Sequence, residues 1–178
     1  MRPTHGGHTN VAPTVSVEDA RPIGAVPAVE TERWTGLAAQ VLAALDVVGP
    51  AELSLTFVDA DTIAALNGEH LGGQGPTDVL SFPLDVDGSD EPASRAPRML
   101  GDIVICPSVA AANAPEHAGT FDDELALLVV HGVLHVLGHD HAAPDEARTM
   151  RALEADLLAR FHGPVAAGTE IPEVEALR

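Results

Sequence analysis

The sequence predicts an α+β fold, a single domain in which one mixed β-sheet of about four strands is covered by about five helices. Two kinds of segment support this prediction: short runs that alternate apolar and polar residues, and longer runs with apolar residues at helical spacing. They do not follow one another in strict strand–helix–strand order, which argues against a purely parallel sheet. At 178 residues, 46% of them apolar, the chain is long enough to bury one core.

Four elements are predicted in the first half of the chain. They are a short strand over residues 14–17, an amphipathic helix from Thr31, a half-buried strand over residues 52–59 and a helix over residues 62–69. The first helix places Trp34, Leu37 and Val41 on one face, and the strand ELSLTFVD alternates apolar with polar side chains. Either Asp59 or Asp61 can cap the helix that follows this strand.

Five more elements are predicted in the second half. They are strands in TDVLSFPLD and MLGDIVIC, a helix over residues 107–117, a buried helix that opens at Asp122, and an amphipathic helix over residues 144–161. Pro83 predicts that its strand ends or lies at a sheet edge, because proline cannot donate a hydrogen bond to a neighbouring strand. Pro107 suits the first turn of a helix, and Gly138 suits a left-handed helix end.

We expect the domain to cover residues 14–162, between tails over residues 1–13 and 163–178 that lack fixed structure because they are rich in Gly, Pro and Ala. No stretch approaches the roughly 20 apolar residues of a membrane span, and the first residues lack the pattern of an export signal. The single cysteine, Cys106, agrees with a reducing compartment. These features predict a cytoplasmic protein without a membrane partner.

The formal net charge of −18 is the opposite of what a nucleic-acid-binding protein usually carries, because it repels polyanions. The sign of the charge close to a site matters more than the total. Arg95 and Arg98 lie together just before the MLGDIVIC strand, which we place beside the candidate site described next.

The segment HGVLHVLGHDH, residues 131–141, predicts a metal site. His131 and His135 are four residues apart on a predicted helix, so both rings project from one face and can hold one ion. Gly138 lets the chain turn, which can bring His139 or His141 back as a third ligand. Three protein nitrogens leave the fourth position of zinc open for a water, whose pKa then falls close to neutrality. The spacing therefore predicts one catalytic Zn²⁺ per chain.

Chance clustering of histidines is the alternative interpretation. Four histidines at the end of one apolar helix argue against it, because each buried imidazole without a partner costs on the order of 1 to 3 kcal/mol. The segment also differs from the HExxH motif of zinc proteases, since Gly132 occupies the position of the glutamate base. A protease is therefore disfavoured.

The same segment resembles the motif HGxLHLxGYDH of the YbeY family of rRNA-maturation endoribonucleases. The resemblance extends to LNGEHLGGQGPTDVLSFP, LGDIVIC, the pair Glu124 and Leu125, and Met150 with Glu154, and it covers residues 52–158. It implies that His131, His135 and His141 are the zinc ligands. His139 stands where the family often has Tyr. It either supports the ligands from beside them or occasionally carries a proton, or it simply replaces the aromatic ring without a role in the chemistry.

The resemblance fails at one position in the loop after LN. Many family members carry an Arg there that contacts the RNA phosphate, and this chain has Leu71. Either another cation replaces it, with His70, Arg95 and Arg98 as candidates, or phosphate binding is weaker. We include Arg98 among the candidate catalytic residues.

Glu124 is a further candidate catalytic residue. It lies seven positions before His131 and eleven before His135, so a straight helix places it on their face, where it can orient an imidazole or act as a base. A helix-capping or surface role is the alternative. Asp140, beside His141, either accepts a hydrogen bond from the ring of that histidine or forms a turn.

The resemblance implies a zinc-dependent endoribonuclease that acts on single-stranded rRNA, in 16S rRNA 3′-end maturation and ribosome quality control. The implied partners are rRNA, the ribosome and small-subunit proteins; we expect no DNA partner. One alternative is a non-catalytic ribosome-assembly factor with a structural zinc site, favoured by the acidic composition and by Leu71. Another is a metal hydrolase that acts on a small phosphate ester or an amide.

Overall fold

One mixed sheet forms the centre of the fold in the computed structural model, which describes residues 11–84 and 97–165. Its strands are β1 (Thr14–Asp19), β2 (Ala51–Phe57), β3 (Val79–Pro83) and β4 (Arg98–Ile105). They lie in the order β1-β2-β4-β3, with β1, β2 and β4 parallel and β3 antiparallel to β4. The predicted mixed sheet is confirmed for the described residues, and β3 is an edge strand, as Pro83 predicts.

Five helices pack around this sheet in the described part of the chain, which confirms the predicted α+β class. They are α1 (Thr31–Ala44), α2 (Ala60–His70), α3 (Pro107–Asn113), α4 (Phe121–Val136) and α5 (Pro144–Phe161). Asp59 caps α2, because its carboxylate accepts a hydrogen bond from the Thr62 amide at 2.8 Å. Helix α3 is shorter than predicted, since Pro115 has no N–H with which to continue the helical hydrogen bonds.

The larger hydrophobic core lies on the face of the sheet covered by α1, α4 and α5. Its strand residues include Leu55, Val79 and Ile103, all fully buried. Leu80 and Val104 alternate with them and pack in a smaller cluster with Ile63 of α2. Helix α4 therefore lies on the opposite face of the sheet from α2.

Helix α4 runs antiparallel to β4, and this orientation positions the candidate site. Gly132 faces Ile103, and Val136 lies beside Gly101, so residue numbers rise along α4 in the direction in which they fall along β4. The C-terminal end of α4 therefore points to the end of the sheet where β4 begins. Arg98 is the first residue of β4, three residues before Gly101 and roughly 10 Å further along the strand.

Two expectations fall partly outside the described residues. Most of the predicted tails do so, since residues 1–10 and 166–178 are not described, and Arg95 lies within the gap at residues 85–96. Of the described helices, none is both long and apolar enough to cross a membrane.

Candidate metal centre

Helix α4 carries two of the three candidate ligands and is buried over most of its length. Thr120 caps its first turn, where Oγ1 accepts a hydrogen bond from the Asp123 amide at 3.1 Å. Acidic side chains in the first turn stabilise the positive end of the helix dipole. His131 and His135 follow one turn apart, each only 3% exposed, with ring centroids separated by 4.4 Å.

Gly132 lets α4 approach the sheet between these two histidines. A Cβ atom at this position would lie 2.8 Å from Cγ2 of Ile103, closer than side-chain carbons approach one another. Position 132 therefore faces β4 and leaves no room for a glutamate. The structure thus gives a packing reason why the base of the HExxH motif is absent here.

The helix ends in a Schellman motif that reverses the chain. The Gly138 amide donates to the His135 carbonyl at 2.9 Å, and the His139 amide donates to the Leu134 carbonyl at 3.0 Å. Gly138 has a φ of 87°, which confirms the predicted left-handed helix end. The chain therefore leaves α4 directly after the second histidine.

Asp140 then forms the turn that presents His141. Its Oδ1 accepts hydrogen bonds from the amides of His141 at 2.7 Å and Ala142 at 3.3 Å. One ring nitrogen each of His131, His135 and His141 then lies within 4.8 Å of the others, and the Nε2 atoms of the first two are 2.9 Å apart. His141 is half-buried, so the histidine cluster has a side towards solvent.

Glu154 of α5 holds the first histidine in place, a role that the sequence analysis did not assign. Its Oε1 lies 2.5 Å from Nδ1 of His131, and Glu154 is only 5% exposed. Since the carboxylate accepts the Nδ1 proton, Nε2 of His131 keeps its lone pair and faces His135. The available signal was a carboxylate on the apolar face of α5, four residues after Met150.

His135 is held in the neutral form that binds metals. Burial lowers the pKa of His135 to about 3, and the neighbouring His131 and His141 rings lower it in addition. The Asp140 carboxylate and a backbone hydrogen bond at His139 oppose this shift without cancelling it. A neutral imidazole offers a lone pair at physiological pH, as a metal ligand must.

The other candidate residues lie apart from this cluster. His139 is half-buried and is not among the described histidines whose nitrogens converge. Leu71 packs against the smaller hydrophobic cluster, on the face of the sheet opposite α4. Arg98 is exposed at the start of β4.

Glu124 is not brought to the three histidines. It is 1% exposed, and its Oε1 lies 3.2 Å from Nδ1 of His117, while its Oε2 accepts a hydrogen bond from the Ala118 amide at 3.2 Å. It does share the helix face of His131, but its contacts are with the turn that precedes α4. These contacts give no support to a role for Glu124 as the catalytic base.

Comparison with known proteins identifies the family. The family described as Endoribonuclease YbeY matches residues 25–162. A relative named Endoribonuclease YbeY from Salinispora tropica is 48% identical over 153 residues, which are 83% of this chain and 96% of the relative. This chain belongs to the YbeY family. A second relative of the same name, from Thermobifida fusca, is 47% identical over 82% of this chain and 93% of its own length.

The match to the family includes every element that builds the site. Helices α1 to α5 and strands β2 to β4 all lie within residues 25–162, whereas β1 lies before them. The solution structure of TM1509 from Thermotoga maritima resembles this fold with a TM-score of 0.52 at 24% identity, over 83% of this chain and 91% of that one. That similarity supports the fold.

Proposed function

We propose that this protein is a zinc-dependent endoribonuclease that cleaves single-stranded RNA. The observation that carries the proposal is the convergence of ring nitrogens from His131, His135 and His141, two of them buried and the third half-buried. Three protein ligands with a side open to solvent are typical of catalytic zinc, whereas structural zinc has four. Membership in the YbeY family, whose relatives are named endoribonucleases, supports RNA as the substrate.

Zinc fits the donor set better than magnesium or calcium, which prefer oxygen ligands. The Nε2 atoms of His131 and His135 face each other at 2.9 Å, so either His135 donates a hydrogen bond to His131 or both nitrogens direct lone pairs at a shared cation. When bound, zinc acts as a Lewis acid on phosphate oxygen and lowers the pKa of a coordinated water close to neutrality. We propose one zinc ion per chain at this site.

The residues around the histidine triad, His131, His135 and His141, keep the ligands in place during the reaction. Glu154 fixes the tautomer of His131, and the turn at Asp140 fixes the backbone of His141. Burial keeps His135 neutral. Because these constraints exist before substrate binds, the chain does not have to reorganise when charge develops on the phosphate.

Arg98 is a described cation that can neutralise that charge. Of the other five described arginines, four form ion pairs with carboxylates, namely Arg21, Arg33, Arg148 and Arg160, and the fifth, Arg151 of α5, donates from Nε to the Ala147 carbonyl at 3.3 Å. Arg98 is exposed, forms no ion pair within the described ranges, and begins β4 at the end of the sheet to which α4 points. Leu71, at the position of the family Arg, packs on the other face. Arg95 precedes Arg98 by three positions and is the second candidate.

The biological substrate that we propose is rRNA, in 16S rRNA 3′-end maturation and ribosome quality control, with the ribosome and small-subunit proteins as partners in the cytoplasm. The family resemblance supports this assignment. An endonuclease that prefers single strands suits rRNA precursors, whose unpaired ends are accessible while helices are already folded.

Labelled single-stranded and duplex rRNA fragments, incubated with zinc-loaded protein, test the proposal. We expect internal cleavage of the single strand, loss of cleavage in His135→Ala, and retention of zinc in the control His139→Ala. Elemental analysis should show the zinc of the triad lost from a His131→Ala, His135→Ala variant. Zinc-loaded protein that binds rRNA and cleaves none of it would support the non-catalytic assembly factor instead.

A further inference from the structure

A second group of metal-ligating side chains lies at the other end of α4. Asp78 precedes β3, His117 lies in the turn after α3, and Glu124 is in the first turn of α4. One ligand atom from each of the three lies within 4.8 Å of the others. Three separate elements of the fold therefore bring an imidazole and two carboxylates to one point.

Both carboxylates are buried, which distinguishes this group from acidic clusters on a surface. Asp78 is 3% exposed and Glu124 is 1% exposed, whereas the His117 side chain retains 13% exposure. Oδ2 of Asp78 accepts a hydrogen bond from the side-chain Nδ2 of Asn113 at 3.0 Å. The imidazole is thus the part of the group that a solvent-borne ion reaches first.

The partners of the two carboxylates within the described residues do not include an arginine. Asp78 accepts hydrogen bonds only from neutral groups there, the Val79 backbone amide at 2.9 Å, the Thr77 hydroxyl at 3.3 Å and the Asn113 side chain at 3.0 Å. A buried charge without compensation costs several kcal/mol. A divalent cation together with a neutral His117 balances both carboxylates.

We propose that Asp78, His117 and Glu124 bind a divalent cation of the Mn²⁺ class. Two carboxylates and one imidazole suit this ion, since oxygen donors predominate. Rotation of the Asn113 amide about its last side-chain bond presents its carbonyl oxygen as a fourth ligand.

The cation has a structural role. Glu124 and His131 are seven residues apart on α4, roughly 10.5 Å, whereas the metals of a two-metal catalytic site lie about 3.5 to 4 Å apart. The bound ion joins the start of β3 and the turn after α3 to the first turn of α4. It therefore fixes the helix that carries the histidine triad without entering the reaction.

Mn²⁺ titration of the full chain tests this proposal at 0.15 M salt, with every form that keeps His131, His135 and His141 first loaded with one equivalent of zinc. Electron paramagnetic resonance of free Mn²⁺ should reveal one bound ion in the zinc-loaded wild type and in a His131→Ala, His135→Ala variant prepared without zinc. An Asp78→Asn, Glu124→Gln variant should keep its zinc and lose Mn²⁺ affinity more than tenfold. The matched control Asp145→Asn, Glu146→Gln, which removes two exposed acids from the first turn of α5, should bind Mn²⁺ as the wild type does.

A ligand-specific readout covers the case in which the double variant is misfolded. Electron spin echo spectra of the bound Mn²⁺ should show one coordinated imidazole nitrogen, and this coupling should disappear in His117→Gln. No Mn²⁺ binding to folded wild type, unchanged affinity in the double variant, or no imidazole coupling would each overturn the proposal. None of these measurements depends on nuclease activity, so the two proposals stand or fall separately.

Discussion

Replacement of Glu154 tests whether α5 holds the histidine triad in the geometry that binds zinc. The carboxylate lies 2.5 Å from Nδ1 of His131, and both side chains are almost fully buried. Glu154→Gln keeps the length of the side chain, and its carbonyl can accept the same hydrogen bond, but the negative charge is lost. Glu154→Ala removes both the charge and the hydrogen bond.

The magnitude follows from the role of an orienting carboxylate. Loss of such a partner typically weakens metal affinity about 10- to 100-fold, equivalent to about 1.4 to 2.8 kcal/mol. A neutral hydrogen bond retains roughly half the strength of a charge-assisted one. We therefore expect the zinc Kd to rise about tenfold in Glu154→Gln and towards 100-fold in Glu154→Ala.

Competition with a chromogenic zinc chelator at fixed pH measures the Kd, and urea unfolding of the metal-free protein measures stability separately. Asp156→Asn is the matched control, since Asp156 lies two residues away on α5 in an exposed ion pair with Arg160. Zinc Kd values within twofold of wild type in both Glu154 variants would refute the idea that this carboxylate positions the ligand.

Three other predictions concern packing and charge. Gly132→Ala should lower the free energy of unfolding in urea by about 1 to 2 kcal/mol and weaken zinc binding, because the added Cβ clashes with Ile103 of β4. In the control Gly36→Ala on α1, the Cβ meets nothing within 4 Å, so the free energy of unfolding should rise by up to about 1 kcal/mol. Arg98→Ala should reduce kcat/KM for RNA about tenfold or more without loss of zinc, because one charged hydrogen bond to the phosphate is lost. Unchanged cleavage by an Arg95→Ala, Arg98→Ala variant would show that neither arginine contacts the phosphate. Leu71→Arg restores the arginine that many family members carry, and it should raise the rate of RNA cleavage if no other residue of this chain replaces that cation. Equal rates would show that another residue already makes the phosphate contact.

Local sequence signals located most of the fold because helix and strand periodicity is a short-range property. Helix α5 spans Pro144–Phe161 as predicted, since a proline opens it and its apolar residues keep helical spacing. The sheet order was beyond such signals. The pairing of β2 with β4, which places residues 51–57 beside residues 98–105, depends on which apolar faces meet in the folded chain.

The site shows the same division between local and long-range information. His131, His135 and Gly138 were predictable because a helix and its left-handed end fix their relative positions. Helical periodicity also placed Glu124 on the same face of α4 as the histidines. It does not show that the turn after α3 brings His117 into contact with the Glu124 carboxylate. The contact between Glu154 and His131 spans 23 residues, so only the packing of α5 on α4 reveals it.

The net charge of −18 agrees with a nuclease if RNA binding depends on the bound metal. With zinc present, the ion, three neutral imidazoles, Glu154 and Asp140 sum to about zero, and Arg98 adds a positive charge at the same end of the sheet. Acidic residues more than roughly 8 Å from the site are largely screened at physiological ionic strength. Without zinc, two positive charges are lost while both carboxylates remain, so the attraction for phosphate falls. Fluorescence anisotropy at 0.15 M salt should therefore show weaker binding of a single-stranded rRNA fragment to metal-free protein than to zinc-loaded protein. Equal affinities in the two forms would show that RNA is held by cations elsewhere on the chain.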